Sequence, residues 1–346
     1  MKTLKDFDFA NKRILVRCDF NVPLGEEGNI LDDFKISQSI PTLLYLIEKR
    51  AKLILISHLG RPDGKVVEDL RLSPVGEKLS GLLSLPVRKL GDCVGNLIEA
   101  EIKEMQPGEV ILLENVQFNP GEKENNLKFA KILAGYADIF IMEAFGQAHR
   151  NYASIASIPK YIPSGAGILL EKEINNLSKV LDNSEKPLIA IIGGKKVETK
   201  LKLIDKISEN ADFVIIGGLL QKELKEKNIK LKYPKKIIGP VDETGRGLDI
   251  GPKSIKLFKE KISLAKTIFW NGPLGKIEEE EFSRGTAEIA KAIIQNQAFS
   301  VAGGGETIEF IRRINLTDKF NHISTGGGAM LAFLAGEKLP GIKALK

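Results

Sequence analysis

The sequence is poor in the residues on which several classes of protein depend. Its 346 residues include only two cysteines, too few for a disulfide framework or a zinc cluster built on cysteine. No apolar run reaches the roughly eighteen residues that a membrane-spanning helix needs. Residues 1–6 lack the apolar stretch of a secretory signal. We therefore expect a cytoplasmic protein in which Cys18 and Cys93 stay reduced and buried.

Nucleic-acid binding has little support in the composition. A net charge of +6 would suit either nucleic acid or a small anionic substrate. However, lysines and arginines form no block of five or six, and aromatic residues make up only 6% of the chain, so few side chains could stack on bases. A small anionic ligand is the favoured interpretation, and a basic nucleic-acid-binding module is kept as an alternative.

Short apolar segments, each ending in a polar or glycine-rich corner, run along the whole chain. They span residues 13–20, 52–58, 110–115, 138–142, 188–192, 213–216, 267–270 and 299–302. Continuous rather than alternating apolar residues predict strands that are buried on both faces of a parallel sheet. Helix-period segments lie between them, at residues 40–49, 127–134, 200–207 and 286–294. The pattern predicts an α/β fold with two doubly wound, Rossmann-like domains, because one core rarely accommodates a chain of this length.

A linker helix is predicted between the two domains. Leu170, Ile174, Leu177 and Leu181 are spaced four, three and four residues apart, as on one face of an amphipathic helix. We expect an N-terminal domain at 1–166, this interdomain helix at 167–183 and a C-terminal domain at 184–328. Residues 340–346 are too short to fold alone and must dock on another element.

Basic and polar side chains follow the predicted strands of the first half. They are Arg17, Asp19 and Asn21 after the first strand, His58 and Arg61 after the second, and His149 and Arg150 further along. Strand ends of a parallel sheet meet at one edge, and arginine binds phosphate or carboxylate through paired hydrogen bonds. Each residue taken alone is better explained as solvated or structural. Together they predict a site for a multiply charged anion.

Glycines follow the predicted strands of the second half, at 193–194, 303–305 and 326–328, and each cluster opens a helix. Backbone N–H groups in such corners bind phosphate, and the helix dipole adds to the attraction. Lys196 and Lys200 share one helix face and could both reach a polyphosphate. Glu306 beside Thr307 offers oxygen ligands for Mg²⁺. Two anion sites on two domains indicate phosphoryl transfer, which depends mainly on positioning and charge neutralisation.

Ten motifs, in the order in which the family has them, together resemble phosphoglycerate kinase over essentially the full chain. They are Arg17-Cys-Asp-Phe-Asn-Val-Pro23, Ser57-His-Leu-Gly-Arg-Pro62, Leu113-Glu-Asn-Val116, Ala144-Phe-Gly-Gln-Ala-His-Arg150, Leu169-Leu-Glu-Lys-Glu173, Gly193-Gly-Lys-Lys-Val197, Gly247-Leu-Asp-Ile-Gly-Pro252, Trp270-Asn-Gly-Pro273, Gly303-Gly-Gly-Glu-Thr307 and His322-Ile-Ser-Thr-Gly-Gly-Gly328. The resemblance implies reversible phosphoryl transfer between 1,3-bisphosphoglycerate with ADP and 3-phosphoglycerate with ATP, a step of glycolysis and gluconeogenesis.

The resemblance also implies the site residues, with Mg²⁺ as cofactor, ATP or ADP as a substrate and domain closure in a monomer. The triose would be bound by Arg17, Asp19, Asn21, Lys35, His58, Leu59, Gly60, Arg61, Gln117, His149 and Arg150. The nucleotide would be bound by Gly193, Lys196, Lys200, Gly217, Asn271, Pro273, Glu278, Gly304, Gly305, Glu306 and Thr307. Lys35, Lys196, Gly305 and Gly328 would be catalytic, Glu306 would hold the metal, and residues 329–346 would return to the N-terminal domain. Gly217-Gly218, taken by itself, is better explained as a tight turn.

The sequence departs from the family at several of these positions. Lys35 and Gln117 stand where the family has arginine, so the first keeps only a point charge and the second loses the charge. Glu306 replaces an aspartate, and Met142-Glu143 replaces Asn-Asp. These departures leave open a second alternative, a related acid kinase or an impaired homologue that binds nucleotide but turns over poorly.

Overall fold

The computed structural model describes residues 1–195 and 197–346, which form two compact units. The first unit comprises Met1–Glu173 together with Lys338–Lys346, and the second comprises Ile174–Glu337. The returning segment therefore begins at residue 338 and not at the predicted residue 329, because the helix at Gly327–Leu334 packs against the helix at Val197–Asn210 in the second unit. No helix in the described part of the chain is long and apolar enough to cross a membrane.

The first unit is built on a six-stranded sheet. Its strands are β1 (Arg13–Arg17), β2 (Lys52–Ile56), β3 (Val87–Lys89), β4 (Val110–Leu112), β5 (Ile139–Met142) and β6 (Ser164–Ala166). Its helices are α1 (Phe34–Glu48), α2 (Ser73–Leu83), α3 (Asn96–Lys103), α4 (Pro120–Lys123) and α5 (Leu127–Gly135). The strand order is β3-β4-β2-β1-β5-β6, and every neighbouring pair is parallel.

The linker helix α6 (Ile168–Leu181) begins in the first unit, and its residues from Ile174 onward belong to the second. The second unit has strands β7 (Leu188–Ile192), β8 (Phe213–Ile216), β9 (Ile237–Ile238), β10 (Glu243–Thr244), β11 (Asp249–Ile250), β12 (Thr267–Asn271), β13 (Phe299–Gly303) and β14 (His322–Ser324). Its helices are α7 (Val197–Asn210), α8 (Gly218–Glu226), α9 (Pro252–Ile262), α10 (Arg284–Asn296), α11 (Gly305–Arg313) and α12 (Gly327–Leu334), while α13 (Pro340–Lys343) lies in the returning segment.

The second sheet has the order β14-β13-β12-β7-β8-β9 and is also parallel throughout, whereas β10 and β11 form a separate antiparallel pair. The predicted fold of two doubly wound parallel sheets is thus confirmed. The inner strands form the centre of the hydrophobic core of each unit. Ile14, Leu15 and Val16 of β1 have no exposed surface, and neither does any residue of β7. Complete burial of each valine, leucine or isoleucine side chain among them contributes roughly 1.5–3 kcal/mol.

Each sheet has one point at which the strand order reverses. In the first sheet β1 has β2 on one side and β5 on the other, and in the second sheet β7 lies between β8 and β12. Loops that leave the carboxyl ends of these central strands diverge in opposite directions and leave a crevice, which is where ligands bind in open α/β sheets. We therefore expect ligands to bind at the loops after β1, β2 and β5 in the first unit, and at the loops after β7, β12 and β13 in the second.

Candidate functional site

A basic cluster forms at the carboxyl ends of β1 and β2. The buried carboxylate of Asp19 accepts a hydrogen bond from Lys35 Nζ at 3.0 Å through Oδ2 and one from the Asn21 N–H at 3.2 Å through Oδ1. The side-chain oxygen of Asn21 accepts from the Gly60 N–H at 2.8 Å. These bonds tie the loop after β1 to the loop after β2 and to the first turn of α1, so three separate stretches of sequence meet here.

The electrostatics of this cluster favour an anionic ligand. Burial would raise the pKa of Asp19, but Lys35, His58 and Arg17 lower it below its ordinary value, so the carboxylate is ionised. Burial lowers the pKa of His58 to about 3, and Arg17, Lys35 and Arg150 act in the same direction while Asp19 opposes them. At neutral pH His58 is thus an uncharged imidazole. The cations Arg17, Lys35 and Arg150 act on this cluster together with two acidic groups, Asp19 and, beneath Arg17, Glu122.

Arg17 lies beneath the cluster. Its side chain is completely buried, and its guanidinium donates to Ser154 Oγ at 2.7 Å and to the carbonyl of Cys18. It lies 3.5 Å from His58 Nδ1 and 4.0 Å from the buried carboxylate of Glu122, which in turn accepts from the Ser154 N–H at 2.9 Å. Arg17 has no surface for a ligand in this conformation, and its contacts join β1 to the segment that follows His149 and Arg150.

The remaining residues predicted for the triose differ in exposure. Arg61 and Arg150 are exposed, and His149 is half-buried. Gln117 is almost completely buried, and its side-chain oxygen has no hydrogen-bond partner among the residues that the structure describes. Its backbone N–H donates to Asn115 Oδ1 at 3.1 Å, and Asn115 Nδ2 donates to the carbonyl of Leu59 at 2.8 Å, which connects Gln117 to the loop after β2.

In the second unit, the loops after β7 and β12 interlock through their backbones. The N–H of Gly193 donates to the carbonyl of Asn271 at 2.9 Å, and that of Gly194 to Pro273 at 2.8 Å. A Cβ atom on Gly193 would lie 2.0 Å from the Pro273 oxygen, and Gly272 has a φ of +92° that favours glycine. Only glycine fits these two positions without displacing the backbone, and the reversal point of the second sheet is closely packed as a result.

Lys200 projects from α7 into this region and is nearly buried. Its Nζ donates to the carbonyl of Gly193 and, at 3.0 Å, to Asn271 Oδ1. The amide of Asn271 donates in turn to the Gly303 carbonyl at 2.8 Å, so the ends of β7, β12 and β13 share one hydrogen-bond network. Burial lowers the pKa of Lys200 to about 8, with Glu306 opposing the shift. Lys196, the other predicted lysine, lies outside the described residues.

A cleft of about 200 Å³ opens beside this network. Four predicted residues, Gly217, Pro273, Glu278 and Glu306, line it. Sequence reasoning missed its apolar wall, formed by Leu219, Leu248 and Leu274, and its lining lysines, Lys195 and Lys276. Lys195 and Leu248 stand inside the quoted motifs and could have been found there, but Leu219, Leu274 and Lys276 follow glycine or proline corners in no pattern of their own. The cleft has an apolar end and a charged end, as a nucleotide requires.

The loop after β13 leads into α11. Gly304 has a φ of +100°, and a Cβ there would lie 2.6 Å from the amide nitrogen of Asn271, so this loop also approaches β12 closely. The hydroxyl of Thr307 accepts from the Gly272 N–H at 2.7 Å. Gly305 and Glu306 lie in the first turn of α11, Gly328 lies in the first turn of α12, and all three residues are exposed.

A magnesium ion would find one carboxylate ligand here. Among the described residues, no group of three His, Cys, Asp or Glu side chains is placed to hold a metal. Glu306 nevertheless lies near the loop after β7, since a Cβ on Gly194 would be 3.9 Å from its Oε2. Mg²⁺ is commonly held by one or two carboxylates together with substrate phosphates and water. The residues present therefore fit a magnesium–nucleotide complex rather than a metal caged by protein alone.

Comparisons with known proteins agree with this geometry. A family model described as phosphoglycerate kinase matches residues 4–232 and 221–337. Curated phosphoglycerate kinases from Dictyoglomus turgidum and Pelotomaculum thermopropionicum are 44% and 41% identical, each over 99% of this chain and 98% of its own length. The solved structure of phosphoglycerate kinase from Pyrococcus horikoshii is 34% identical to this chain, with a TM-score of 0.87 over 100% of this chain and 98% of its own. The structure of the enzyme from Coxiella burnetii is also 34% identical, with a TM-score of 0.84 over 99% of this chain and 98% of its own.

Proposed function

The chain belongs to the phosphoglycerate kinase family and catalyses reversible phosphoryl transfer between 1,3-bisphosphoglycerate with ADP and 3-phosphoglycerate with ATP, and we propose that its two anion sites hold the two substrates of this glycolytic reaction. The observation that carries the assignment of the sites is the position of each at the strand-order reversal of its own sheet. The comparisons do not favour a nucleic-acid-binding module or a different acid kinase.

The triose occupies the basic cluster of the first unit. Lys35, Arg61, His149 and Arg150 are exposed or half-buried and contact its phosphate and carboxylate, with Gly60 and Asn21 nearby. Asp19 positions Lys35 through their hydrogen bond, and neutral His58 can donate or accept a hydrogen bond without adding charge. Leu59 and Gln117 complete the wall, and Arg17 supports it from below as a positioning residue.

The nucleotide lies in the cleft of the second unit. The leucine-lined end, with Gly217 and Pro273, holds the base, and Glu278 binds the ribose hydroxyls. Lys200, Gly193 and the N-terminus of α11 at Gly304, Gly305 and Thr307 face the phosphates, with Asn271 holding Lys200 in place. Lys196 keeps its predicted role as a second phosphate-binding lysine. A polyphosphate beside Lys200 favours its protonated form and gives the buried ammonium its counter-charge.

The transfer itself needs no general base. The attacking group of 3-phosphoglycerate is a carboxylate, which is already ionised at neutral pH. The protein's task is to bring this oxygen in line with the terminal phosphorus, exclude water and neutralise the charge spread over the transferring group. Lys35 from one unit, with Lys196 and the backbone N–H groups of Gly305 and Gly328 from the other, supply that charge.

Mg²⁺ bound by Glu306 and the nucleotide would neutralise phosphate charge. Because the two half-sites belong to different units, we propose that binding of both substrates brings the units together around α6 before transfer. We also propose a monomer, since a single chain supplies both half-sites, and a cytoplasmic location, as the sequence predicts. The oligomeric state can be checked by light scattering on the purified protein.

A coupled assay with 3-phosphoglycerate and MgATP tests the site assignments. Arg150→Ala removes a charge-assisted contact worth about 1.5–3 kcal/mol, so the KM for 3-phosphoglycerate should rise at least tenfold while the KM for ATP stays constant. Arg88→Ala is the matched control, because Arg88 is an exposed arginine of the same unit paired with Glu101. Equal kinetics for the Arg150 and Arg88 variants would place the triose elsewhere.

The nucleotide half-site can be tested in the same assay. Glu278→Ala should raise the KM for ATP alone, and Glu281→Ala, which changes an exposed carboxylate outside the lining of the cleft, should leave it unchanged. If Glu278→Ala affects the KM for 3-phosphoglycerate instead, the assignment of the cleft is wrong.

A further inference from the structure

Glu143 is a completely buried carboxyl group to which the reaction assigns no role. It follows β5 directly, and its backbone N–H donates to the carbonyl of Arg17 at 2.9 Å across the β1–β5 pair. Burial raises the pKa of Glu143 to about 8, and Thr42 and the backbones of Leu169 and Leu170 oppose the shift. A buried acid of this kind is costly to retain unless it is hydrogen-bonded, and here Oε1 has a donor while Oε2 has none among the described residues.

The donor to Oε1 lies at the start of the linker helix α6. Glu143 Oε1 accepts from the Leu169 N–H at 3.2 Å, and Thr42 Oγ1, from α1, accepts from the Ile168 N–H at 2.8 Å. The first backbone N–H groups of a helix have no partner within the helix itself. Two side chains from elsewhere in the first unit therefore hold the beginning of α6.

Gly167 shows that this contact is closely fitted. A Cβ atom at position 167 would lie 1.9 Å from Glu143 Oε2 and 3.1 Å from Thr42 Cγ2. Glycine at the residue before α6 therefore leaves room for the carboxyl group. The Gly167 N–H also donates to the carbonyl of Met142 at 2.9 Å. Met142 is the last residue of β5 and Glu143 is the next, so both are hydrogen-bonded to residues at the start of α6.

On its other side, Glu143 begins the segment that carries part of the triose half-site. The chain runs from Glu143 through a 3-10 turn at Phe145–Gln147 to His149 and Arg150. The Phe145 N–H donates to the Glu143 carbonyl at 3.0 Å, which fixes the direction of that segment. A movement of the triose-binding segment therefore reaches the start of α6 through one residue.

We propose that Glu143 is a positioning residue that couples the triose half-site to the linker helix, so that its carboxyl oxygen and Thr42 set the direction of α6 during closure. This inference rests on the proposed closure of the two units. It assigns Glu143 no contact with substrate. Its loss therefore affects turnover more than the binding of either ligand.

The test compares Glu143→Leu, Glu143→Gln and Thr42→Val with the wild type. Each protein is assayed for kcat, for both KM values and for the ligand-induced change in radius of gyration by small-angle scattering. Glu143→Leu should lower kcat at least about tenfold, with both KM values within about threefold, because closure and not binding is impaired. Glu143→Gln keeps an acceptor oxygen for the Leu169 N–H and should stay within about threefold of wild type.

Glu114→Leu is the matched control, because Glu114 is also a buried carboxyl that accepts from the N–H before a helix, that of Leu72 at α2. It should lower the melting temperature while ligand-induced compaction persists. The proposal is overturned if Glu143→Leu keeps wild-type kcat and compaction, or if both KM values rise with the fall in kcat. If Glu143→Leu does not fold, Thr42→Val decides, and wild-type turnover and compaction in that variant overturn the proposal. Absence of compaction in the wild type would instead refute closure itself.

Discussion

Lys35 Nζ lies 3.0 Å from Asp19 Oδ2, and the lysine side chain is still 30% exposed while the carboxylate is only 6% exposed. The buried partner fixes the ammonium near the end of β1, and the exposed remainder can meet a ligand. An ammonium is a point charge, so the bond to Asp19 leaves its other donors free without imposing a plane on them. The pair thus positions a cation where the resembled family uses arginine.

We predict that Lys35→Ala lowers kcat by about a hundredfold to a thousandfold, the range expected when a donor to developing charge is removed from a closed site. Lys35→Arg should raise kcat, because a guanidinium can bind two oxygens in one plane. Steady-state kinetics with 3-phosphoglycerate and MgATP measure both effects. Turnover of Lys35→Ala within about twofold of wild type would remove Lys35 from the mechanism, since that corresponds to only about 0.4 kcal/mol.

Nucleotide binding should be accompanied by proton uptake near pH 8. Burial lowers the pKa of Lys200 to about 8, so at pH 8 about half of the free enzyme molecules have a protonated Lys200. Bound phosphate raises this pKa again, because its negative charge favours the protonated lysine. Calorimetry in buffers of different ionisation enthalpy should show uptake of about half a proton. In Lys200→Arg, whose guanidinium stays protonated, the uptake should disappear. Equal uptake by that variant would assign the proton to another group.

His58 should make the protein sensitive to acid. Its pKa is about 3 in the folded protein, against an ordinary value of 6.5, so between these pH values the unfolded chain binds a proton that the folded protein does not. Stability therefore falls as the pH is lowered through this window. When the pH is lowered from 7 to about 4.5, the free energy of unfolding should fall in both proteins, and the fall should be roughly 2 kcal/mol smaller in His58→Asn than in the wild type.

Urea titrations at the two pH values measure this difference. The comparison uses the change with pH and not the absolute stability, because the substitution also alters packing. Parallel losses in the two proteins would show that His58 is protonated in the folded state at acid pH.

Gly272→Ala should destabilise the second unit by more than about 2 kcal/mol, because a side chain at φ +92° is strained and its Cβ would lie 2.2 Å from the Gly193 oxygen. Gly305→Ala is the control, since nothing lies within 4 Å of a Cβ there and the residue is helical, and its melting temperature should match wild type. If Gly305→Ala is stable yet slow, close approach of its backbone to phosphate is the reason. A stable Gly272→Ala would contradict the packing described here.

The sequence predicted every inner strand of both sheets. Of the four edge strands it indicated only β14, through the glycines at 326–328 that follow it, and it missed β3, β6 and β9. The inner strands are buried on both faces and therefore continuously apolar, as β7 shows. The edge strands have two or three residues and include polar ones, such as Arg88 and His322, so hydrophobic pattern cannot distinguish them from loops. Helix α1 also begins six residues before its predicted start, because the apolar period is weak in its first turn.

The candidate site divides in a similar way. Motifs identified residues at strand ends because glycine and charged residues are rare inside strands. Motifs could not show which charged side chains are buried. The burial of Arg17, Glu122 and Lys200 depends on the loops that pack over them, and those loops come from distant parts of the chain. The hydrogen bond between Asp19 and Lys35 likewise joins β1 to α1 across a loop whose length alone does not set the distance.

The returning segment determines the order in which the protein can be completed during synthesis. Gly341 donates its N–H to the Ala148 carbonyl at 2.9 Å, and a Cβ on Gly341 would lie 2.9 Å from Ile155 Cγ2. This segment emerges from the ribosome only after the whole second unit. Until then the turns beside His149 and Arg150 lack a packing partner. The unit that is translated second can therefore finish folding first, and the proposed triose half-site, encoded at the beginning of the message, is the last to be assembled.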